Sequence, residues 1–218
     1  MSYNFRDHIK KEPYITTFIS QDKKFIYMKP GRTASTGINN LLKESCKKYS
    51  QVSLPYFYNR GTDKWLENTP DIFINNFFKF TVVRNPFDRL VSAWRSFSSH
   101  TKHKVNNNFE QFIKNRGIIK GKGHWLNEDG RVSNDHWLPL HYYVEFNKDN
   151  IFIDYVAKYE NLGDDWNFIK QKLNLKIKDN LINTPPQNNS YRKYYTDELV
   201  EIVSTFYKRD LELFNYKF

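Results

Sequence analysis

The chain has 218 residues, of which 39% are hydrophobic and 17% aromatic, so it can bury the core of one domain and is too apolar to be disordered. We therefore expect a single domain over residues 1–218, with residues 1–22 as an N-terminal extension of uncertain structure. Cys46 is the only cysteine, which excludes an intramolecular disulfide, and the net charge of +10 favours an anionic partner.

The first residues lack a signal-peptide pattern, because Arg6, Asp7 and Lys10 interrupt any apolar run. No later apolar stretch is long enough to cross a membrane. With the lone cysteine, these features predict a soluble protein of the reducing cytoplasm, unless the sequence is part of a longer protein. The charge suits nucleic acid as well as an anionic nucleotide or an acidic glycan. No nucleic-acid module is recognisable, so we predict no specific nucleic-acid partner.

Residues 24–28 read as a buried strand, and Pro30 and Gly31 end it. A helix is predicted to begin at Ser35 or Thr36, with Ile38, Leu41, Leu42, Ser45 and Tyr49 along one stripe and Cys46 on the inner face. The turn between strand and helix presents backbone N–H groups and the positive end of the helix dipole. An ordinary strand–loop–helix connection is the alternative.

The side chains of this turn suit a dianionic phosphate. Hydroxyls come from Thr33, Ser35 and Thr36, and positive charge comes from Arg32 and Lys29. The segment is not an ATP-binding Walker A loop, because Ile38 stands after Gly37 where that loop needs a lysine.

Residues 77–83 predict a second strand, followed by a helix with Asn85 as N-cap and Pro86 at its first position. Ser92 lies about two helical turns beyond Asn85, so it projects from the same side of the helix. Arg84 and Ser92 can therefore converge on one anion. Alternatively, Arg84 pairs with Asp88 and Ser92 is an ordinary helix residue.

Together, residues 25–37 and 80–92 resemble two motifs of sulfotransferases that use 3′-phosphoadenosine 5′-phosphosulfate (PAPS). They are most similar to the carbohydrate group that contains the chondroitin, dermatan and HNK-1 enzymes. The family's second motif, R-[ND]-P-x-x-R-x-x-S, is matched at every fixed position, by Arg84, Asn85, Pro86, Arg89 and Ser92. The resemblance covers roughly residues 23–216.

The resemblance implies an α/β fold, P-loop-like, with a central, mainly parallel sheet flanked by helices on both faces and a further strand over 151–158. It implies an enzyme that transfers the sulfuryl group from PAPS to an acceptor hydroxyl of a carbohydrate by in-line displacement, without a metal. The 5′-phosphosulfate would lie on Arg32, Thr33, Ala34, Ser35, Thr36 and Gly37, and the 3′-phosphate on Arg84 and Ser92. Arg32 stands where the family carries a catalytic lysine; we interpret it as a substitute that supplies positive charge, with Lys29 as the fallback.

Two further segments are assigned by the same resemblance. His136, in an H-W-x-P sequence, is the best candidate for the base that takes the acceptor proton, although a structural role fits equally and Asp63, Glu67 and Asp71 are other possible bases. Ser190, Tyr191, Arg192 and Lys193 are candidates for contacts with adenine and the 3′-phosphate, or else form an exposed basic turn. Val200, Val203, Tyr207, Leu211 and Phe214 are predicted to form the buried side of one final helix, capped by Thr196.

Other functions stay open at this point. One is a P-loop-like kinase for a small molecule. Another is a non-catalytic module that binds an anionic polymer. A metal site is not predicted, because His100 and His103 lack a third ligand at a recognised spacing.

Overall fold

The computed structural model describes residues 14–55, 76–98, 108–115, 136–147, 150–177 and 190–218. The chain forms two compact units. We call the described residues of Tyr14–Val83 and Tyr142–Pro186 the sheet unit, and those of Arg84–His141 and Gln187–Phe218 the helical unit.

Seven strands and six α-helices are found in the described part of the chain. The strands are β1 Tyr14–Ser20, β2 Phe25–Met28, β3 Tyr49–Pro55, β4 Phe78–Val83, β5 Glu145–Asn147, β6 Asn150–Ile151 and β7 Tyr155–Lys158. The helices are α1 Ser35–Ser45, α2 Pro86–Ser98, α3 Phe109–Asn115, α4 Leu162–Lys172, α5 Asp197–Phe206 and α6 Lys208–Phe214. Short 3-10 helices lie at Leu140–Tyr143, Tyr159–Asn161 and Arg192–Tyr194.

The main sheet of the sheet unit has the strand order β3-β1-β2-β4-β7. β2 pairs in parallel with β4, and β4 with β7, whereas β1 is antiparallel to both β2 and β3. Four of these five strands therefore run in one direction. The predicted α/β class with a mainly parallel sheet is confirmed. β5 and β6 form a separate antiparallel pair.

Burial explains why β2 and β4 read as apolar runs rather than as alternating patterns. Phe25, Tyr27, Phe80 and Val82 face a core that also contains apolar side chains of α1 and α4. The neighbouring residues on the opposite face of the same strands, such as Met28, are buried as well. A strand that is covered on both faces needs a continuous apolar sequence.

Cys46 lies in this core, as its place on the inner side of α1 predicted. Burial raises the pKa of its thiol. A neutral, buried thiol is a packing residue and not a nucleophile.

α1 is shorter than its apolar stripe predicted. The helix ends at Ser45, and Cys46 is already extended. Tyr49 is instead the first residue of β3, where its ring stacks on Phe18 at 4.8 Å. The carboxylate of Asp22 accepts the backbone N–H groups of Lys47 and Lys48 and so fixes the turn that ends the helix.

Two other parts of the strand prediction also differ from the structure. β1 occupies part of the segment 1–22 for which no structure was predicted. The single strand predicted over 151–158 is two strands, β6 and β7.

The core of the helical unit joins α2, α3 and the C-terminal helices. Phe87, Leu90 and Val91 of α2 pack with Leu199 and Val203 of α5. The helix predicted after Thr196 is interrupted at Tyr207 and forms α5 and α6. The hydroxyl of Thr196 accepts the N–H of Leu199, which makes it the N-cap that the sequence predicted.

Candidate functional site

The first motif forms the loop that leaves the carboxyl end of β2. The loop entry is fixed to neighbouring strands, because the Lys29 N–H donates to the Thr16 carbonyl at 2.9 Å and the Thr81 hydroxyl donates to the Met28 carbonyl at 2.9 Å. β2 and β4 are parallel neighbours, so their carboxyl ends lie at the same edge of the sheet. Ligands of open α/β sheets bind beyond this edge.

The backbone of the loop is strained. Arg32 has a φ of 67° and Ala34 has a φ of 60°, so two residues other than glycine adopt the left-handed conformation. Each costs about 1–2 kcal/mol relative to right-handed backbone. Turns that contain left-handed residues direct successive N–H groups toward one point and form anion-binding concavities. Strain of this kind is concentrated at functional sites.

The first turn of α1 supplies N–H groups for such a concavity. The Ile38 N–H makes the first bond of the helix, to the Ala34 carbonyl at 3.1 Å. The N–H groups of Ser35, Thr36 and Gly37 precede that bond and have no hydrogen-bond partner in the described part of the chain. No acidic residue lies in this turn. An anion would therefore meet hydrogen-bond donors and the positive end of the dipole.

The surface of this turn is open to a ligand. Thr36 and Gly37 are exposed, whereas the Ser35 side chain is buried. A Cβ atom at Gly37 would meet no atom of the described residues within 4 Å, so the space beside this residue is open.

The hydroxyl of Thr33 does not have the phosphate-binding role that the sequence predicted. The side chain is buried, and its hydroxyl donates to the Pro30 carbonyl at 2.9 Å. Its hydroxyl proton therefore stabilises the loop and is not directed at a ligand. The contribution of Thr33 to anion binding would come from its backbone. Lys29 and Arg32 are both half-buried in this loop, where each makes further interactions.

The strained backbone at Ala34 gives a stability prediction. Replacing Ala34 with glycine relieves the left-handed strain, so the free energy of unfolding should stay equal or rise by up to about 1 kcal/mol, despite the lost methyl group. Ala34→Val should lower it by about 1–3 kcal/mol, because a β-branched residue tolerates this conformation poorly. Urea denaturation followed by circular dichroism measures both. A loss of 1 kcal/mol or more in the glycine variant would contradict the strain.

The second motif begins where β4 ends. Asn85 is the N-cap of α2, since its Oδ1 accepts the Phe87 N–H at 3.0 Å and its carbonyl accepts the Arg89 N–H at 2.9 Å. Arg84 donates from Nε and Nη2 to Asp88 Oδ2, at 2.9 and 2.8 Å. The pairing that the sequence left as an alternative is therefore made. Ser92 is half-buried one turn beyond Asp88 on the same side of α2.

Arg89, the other arginine of this motif, has a structural role that the sequence did not indicate. Arg89 is 1% exposed, and its Nη1 donates to the Leu138 carbonyl at 2.7 Å. It therefore fixes the segment that follows His136 and is not presented to a ligand.

Residues 137–141, which we call the clamped segment, are also held by the C-terminal helices. The Tyr207 hydroxyl donates to the Trp137 carbonyl. The buried carboxylate of Asp210 accepts the N–H groups of Leu140 and His141, at 2.6 and 2.9 Å, and lies 2.7 Å from Nδ1 of His141. His136 is half-buried immediately before this segment, so the same contacts fix its backbone position.

Asp210 was missed because its helix was interpreted only through its apolar side chains. It lies three residues after Tyr207, on the buried side of α6. A buried carboxylate needs hydrogen-bond donors. The three-residue spacing from Tyr207 could have indicated that Asp210 is buried.

Removal of the Asp210 carboxylate should destabilise the protein. Asp210→Ala leaves the buried Leu140 N–H and the part-buried His141 N–H without this acceptor, so we expect the free energy of unfolding to fall by about 2–4 kcal/mol. Glu212→Ala is the control, since Glu212 lies on the same helix, is exposed and, among the described residues, has only a 4.0 Å ion pair with Lys208. It should change stability by less than about 0.5 kcal/mol. Equal urea midpoints for the two variants would contradict the clamp.

The four residues predicted in the 190–193 segment divide into two kinds. Tyr191 is buried, with its ring edge-on to Tyr195 and Phe218, so it is mainly a packing residue of the helical unit. Ser190, Arg192 and Lys193 are exposed. The guanidinium of Arg192 lies 4.7 Å from the ring centroid of Phe218.

Several other predicted residues lie outside the described ranges: Asp63, Glu67, Asp71, His100 and His103. Within those ranges, no three His, Cys, Asp or Glu side chains are grouped so that they could ligate a metal. Nor does any described helix have the length and apolarity to span a bilayer.

Comparison with known proteins supports one family. Residues 16–217 match the family described as the sulfotransferase family, which covers both motifs and almost the whole chain. Searches of curated proteins and of solved structures gave no significant match.

Proposed function

The chain belongs to the sulfotransferase family, and we propose that it takes the sulfuryl group from PAPS and transfers it to a hydroxyl of a carbohydrate. Family membership supports sulfuryl transfer in general. The choice of donor and acceptor is our proposal, supported by the resemblance of the two motifs to those of PAPS-dependent carbohydrate sulfotransferases.

One observation carries the proposal: the exposed start of α1. Its backbone N–H groups have no partner in the described residues, the preceding loop holds two left-handed residues, and no carboxylate is nearby in the first turn. This arrangement suits a phosphate-like anion, and the phosphosulfate end of PAPS is such a group. When bound, PAPS supplies an activated sulfuryl group, and its transfer leaves adenosine 3′,5′-bisphosphate.

The residues of the sheet unit would have two tasks. The backbone of residues 33–37 would hold the 5′ oxyanions through hydrogen bonds. Arg32, with Lys29 as the fallback, would stabilise the negative charge that develops on the phosphate. Arg32 keeps its proton at all working pH values, so its contribution is electrostatic and not acid catalysis.

Residues of the second motif and of the 190–193 segment would bind the other end of the nucleotide. Arg84 and Ser92 would bind the 3′-phosphate, with Ser190, Arg192 and Lys193 as further contacts to the nucleotide. His136 would accept the proton of the acceptor hydroxyl. The clamped segment that follows it is held by hydrogen bonds from Arg89 and Tyr207.

Calorimetric titration with adenosine 3′,5′-bisphosphate tests the donor. We expect one-to-one binding with a micromolar dissociation constant, and at least tenfold weaker binding of AMP, which lacks the 3′-phosphate. ATP with magnesium is the control for a kinase. Failure to bind the bisphosphate, or equal affinity for AMP, would overturn the choice of PAPS.

Two arginine variants test the separate roles of the motifs. Arg84→Ala should weaken bisphosphate binding by about 10- to 100-fold, because it removes charged hydrogen bonds. Arg32→Ala should lower kcat by about 100-fold or more and change affinity less, whereas Arg32→Lys should retain activity. Titration and a radiolabelled sulfuryl-transfer assay give the two quantities.

Lys208→Ala is the matched control for charge, because Lys208 is exposed on α6 and lies outside both motifs. It should leave affinity and turnover within about twofold of the original protein. Equal and mild effects of Arg84→Ala and Arg32→Ala would count against the assigned roles.

A further inference from the structure

An exposed cluster in the helical unit places two cations around one phenol. Arg95 of α2 donates from Nη2 to the Tyr194 hydroxyl at 2.8 Å, and its guanidinium carbon lies 5.2 Å from the centroid of that ring. The Lys193 ammonium lies 5.4 Å from the same centroid. The ring is positioned by edge-on contacts with Trp94 at 5.3 Å and Phe109 at 6.0 Å.

The two cations of this cluster are not neutralised by carboxylates of the described residues. Lys114 on α3 shows the ordinary arrangement of a surface cation, since it pairs with both Glu110 and Glu198 at 2.8 and 2.7 Å. Arg95 and Lys193 instead share the neutral ring of Tyr194. Two like charges held close together favour an anionic ligand.

The Tyr194 hydroxyl can donate a hydrogen bond to a ligand. It accepts from Arg95, and within the described ranges it has no acceptor for its own proton. The Arg95 hydrogen bond and the neighbouring positive charges lower the pKa of this phenol. A more acidic phenol is a stronger donor to an oxyanion.

The cluster continues the stripe of the second motif. Asp88, Ser92 and Arg95 follow the spacing i, i+4, i+7 and therefore lie on one side of α2. The charge of Arg84 is already offset by Asp88. A dianionic group bound beside Ser92 would thus need additional positive charge, and Arg95 stands one turn further along the same stripe.

We propose that Arg95, Tyr194 and Lys193 form a binding site for a phosphate or sulfate group. Neither Arg95 nor Tyr194 belongs to the family motifs described above. Two sources supply this chemistry. One is the ribose phosphate of the nucleotide, and the other is a sulfate group on an acidic acceptor. The link to either substrate rests on the proposed function; the anion site itself does not.

Charge-removing variants test the site, with inorganic sulfate, adenosine 3′,5′-bisphosphate and a sulfated uronic-acid disaccharide as titrants. Arg95→Gln and Lys193→Gln should each lower the affinity for at least one of these ligands by tenfold or more. Lys114→Gln is the matched control and should stay within twofold, because its ammonium is already neutralised. Tyr194→Phe keeps the ring and so the packing, and it should weaken the same ligand by about threefold to tenfold.

The three titrants separate the possible results. Weaker binding of the bisphosphate alone identifies the nucleotide as the source, and weaker binding of the disaccharide alone identifies the acceptor. If the original protein binds sulfate or the disaccharide but not the bisphosphate, and the variants weaken that binding, the site stands and the choice of PAPS fails. Unchanged affinity of all variants for all three titrants, or no binding of any titrant by the original protein, would overturn the site.

Discussion

The backbone at the start of α1 is the constraint on which the sheet unit depends. Its N–H groups can meet an anion only if the chain turns sharply after β2, and two residues other than glycine adopt left-handed backbone to make that turn. The cost, about 1–2 kcal/mol for each residue, is offset by the surroundings. β2 is buried on both faces, the loop entry is bonded to Thr16 and Thr81, and the Thr33 hydroxyl closes the loop onto Pro30.

In the helical unit, two buried charged side chains form hydrogen bonds with the backbone of the clamped segment. Arg89 and Asp210 are both buried, and each finds its partners in the clamped segment. A buried charge is tolerated only where hydrogen bonds replace its hydration, and backbone carbonyls and N–H groups supply them here. Arg95 and Lys193 follow a different rule, because they are exposed and share an uncharged ring. No carboxylate of the described residues offsets these two charges, so we assign an anionic ligand to them.

The sequence predicted the parts of the fold that depend on local chemistry. Apolar runs identified β2 and β4, and Asn85 and Thr196 identified two helix starts, because caps and buried strands have strong local signals. The end of α1 was wrong, since the Asp22 contacts that stop the helix join residues distant in sequence. The Arg84–Asp88 pair was visible as an alternative, because i, i+4 spacing is local. The Asp210 contacts span about 70 residues and could not be inferred from spacing alone.

Amide hydrogen exchange at residues 33–37, measured with and without adenosine 3′,5′-bisphosphate, tests the central claim most directly. The N–H groups of Ser35, Thr36 and Gly37 have no acceptor in the described structure, so they should exchange quickly in the unliganded protein. Saturating ligand should slow their exchange at least tenfold, while amides of the exposed end of α6 stay unchanged. Binding of the ligand with no protection at these positions would show that the start of α1 is not the anion site.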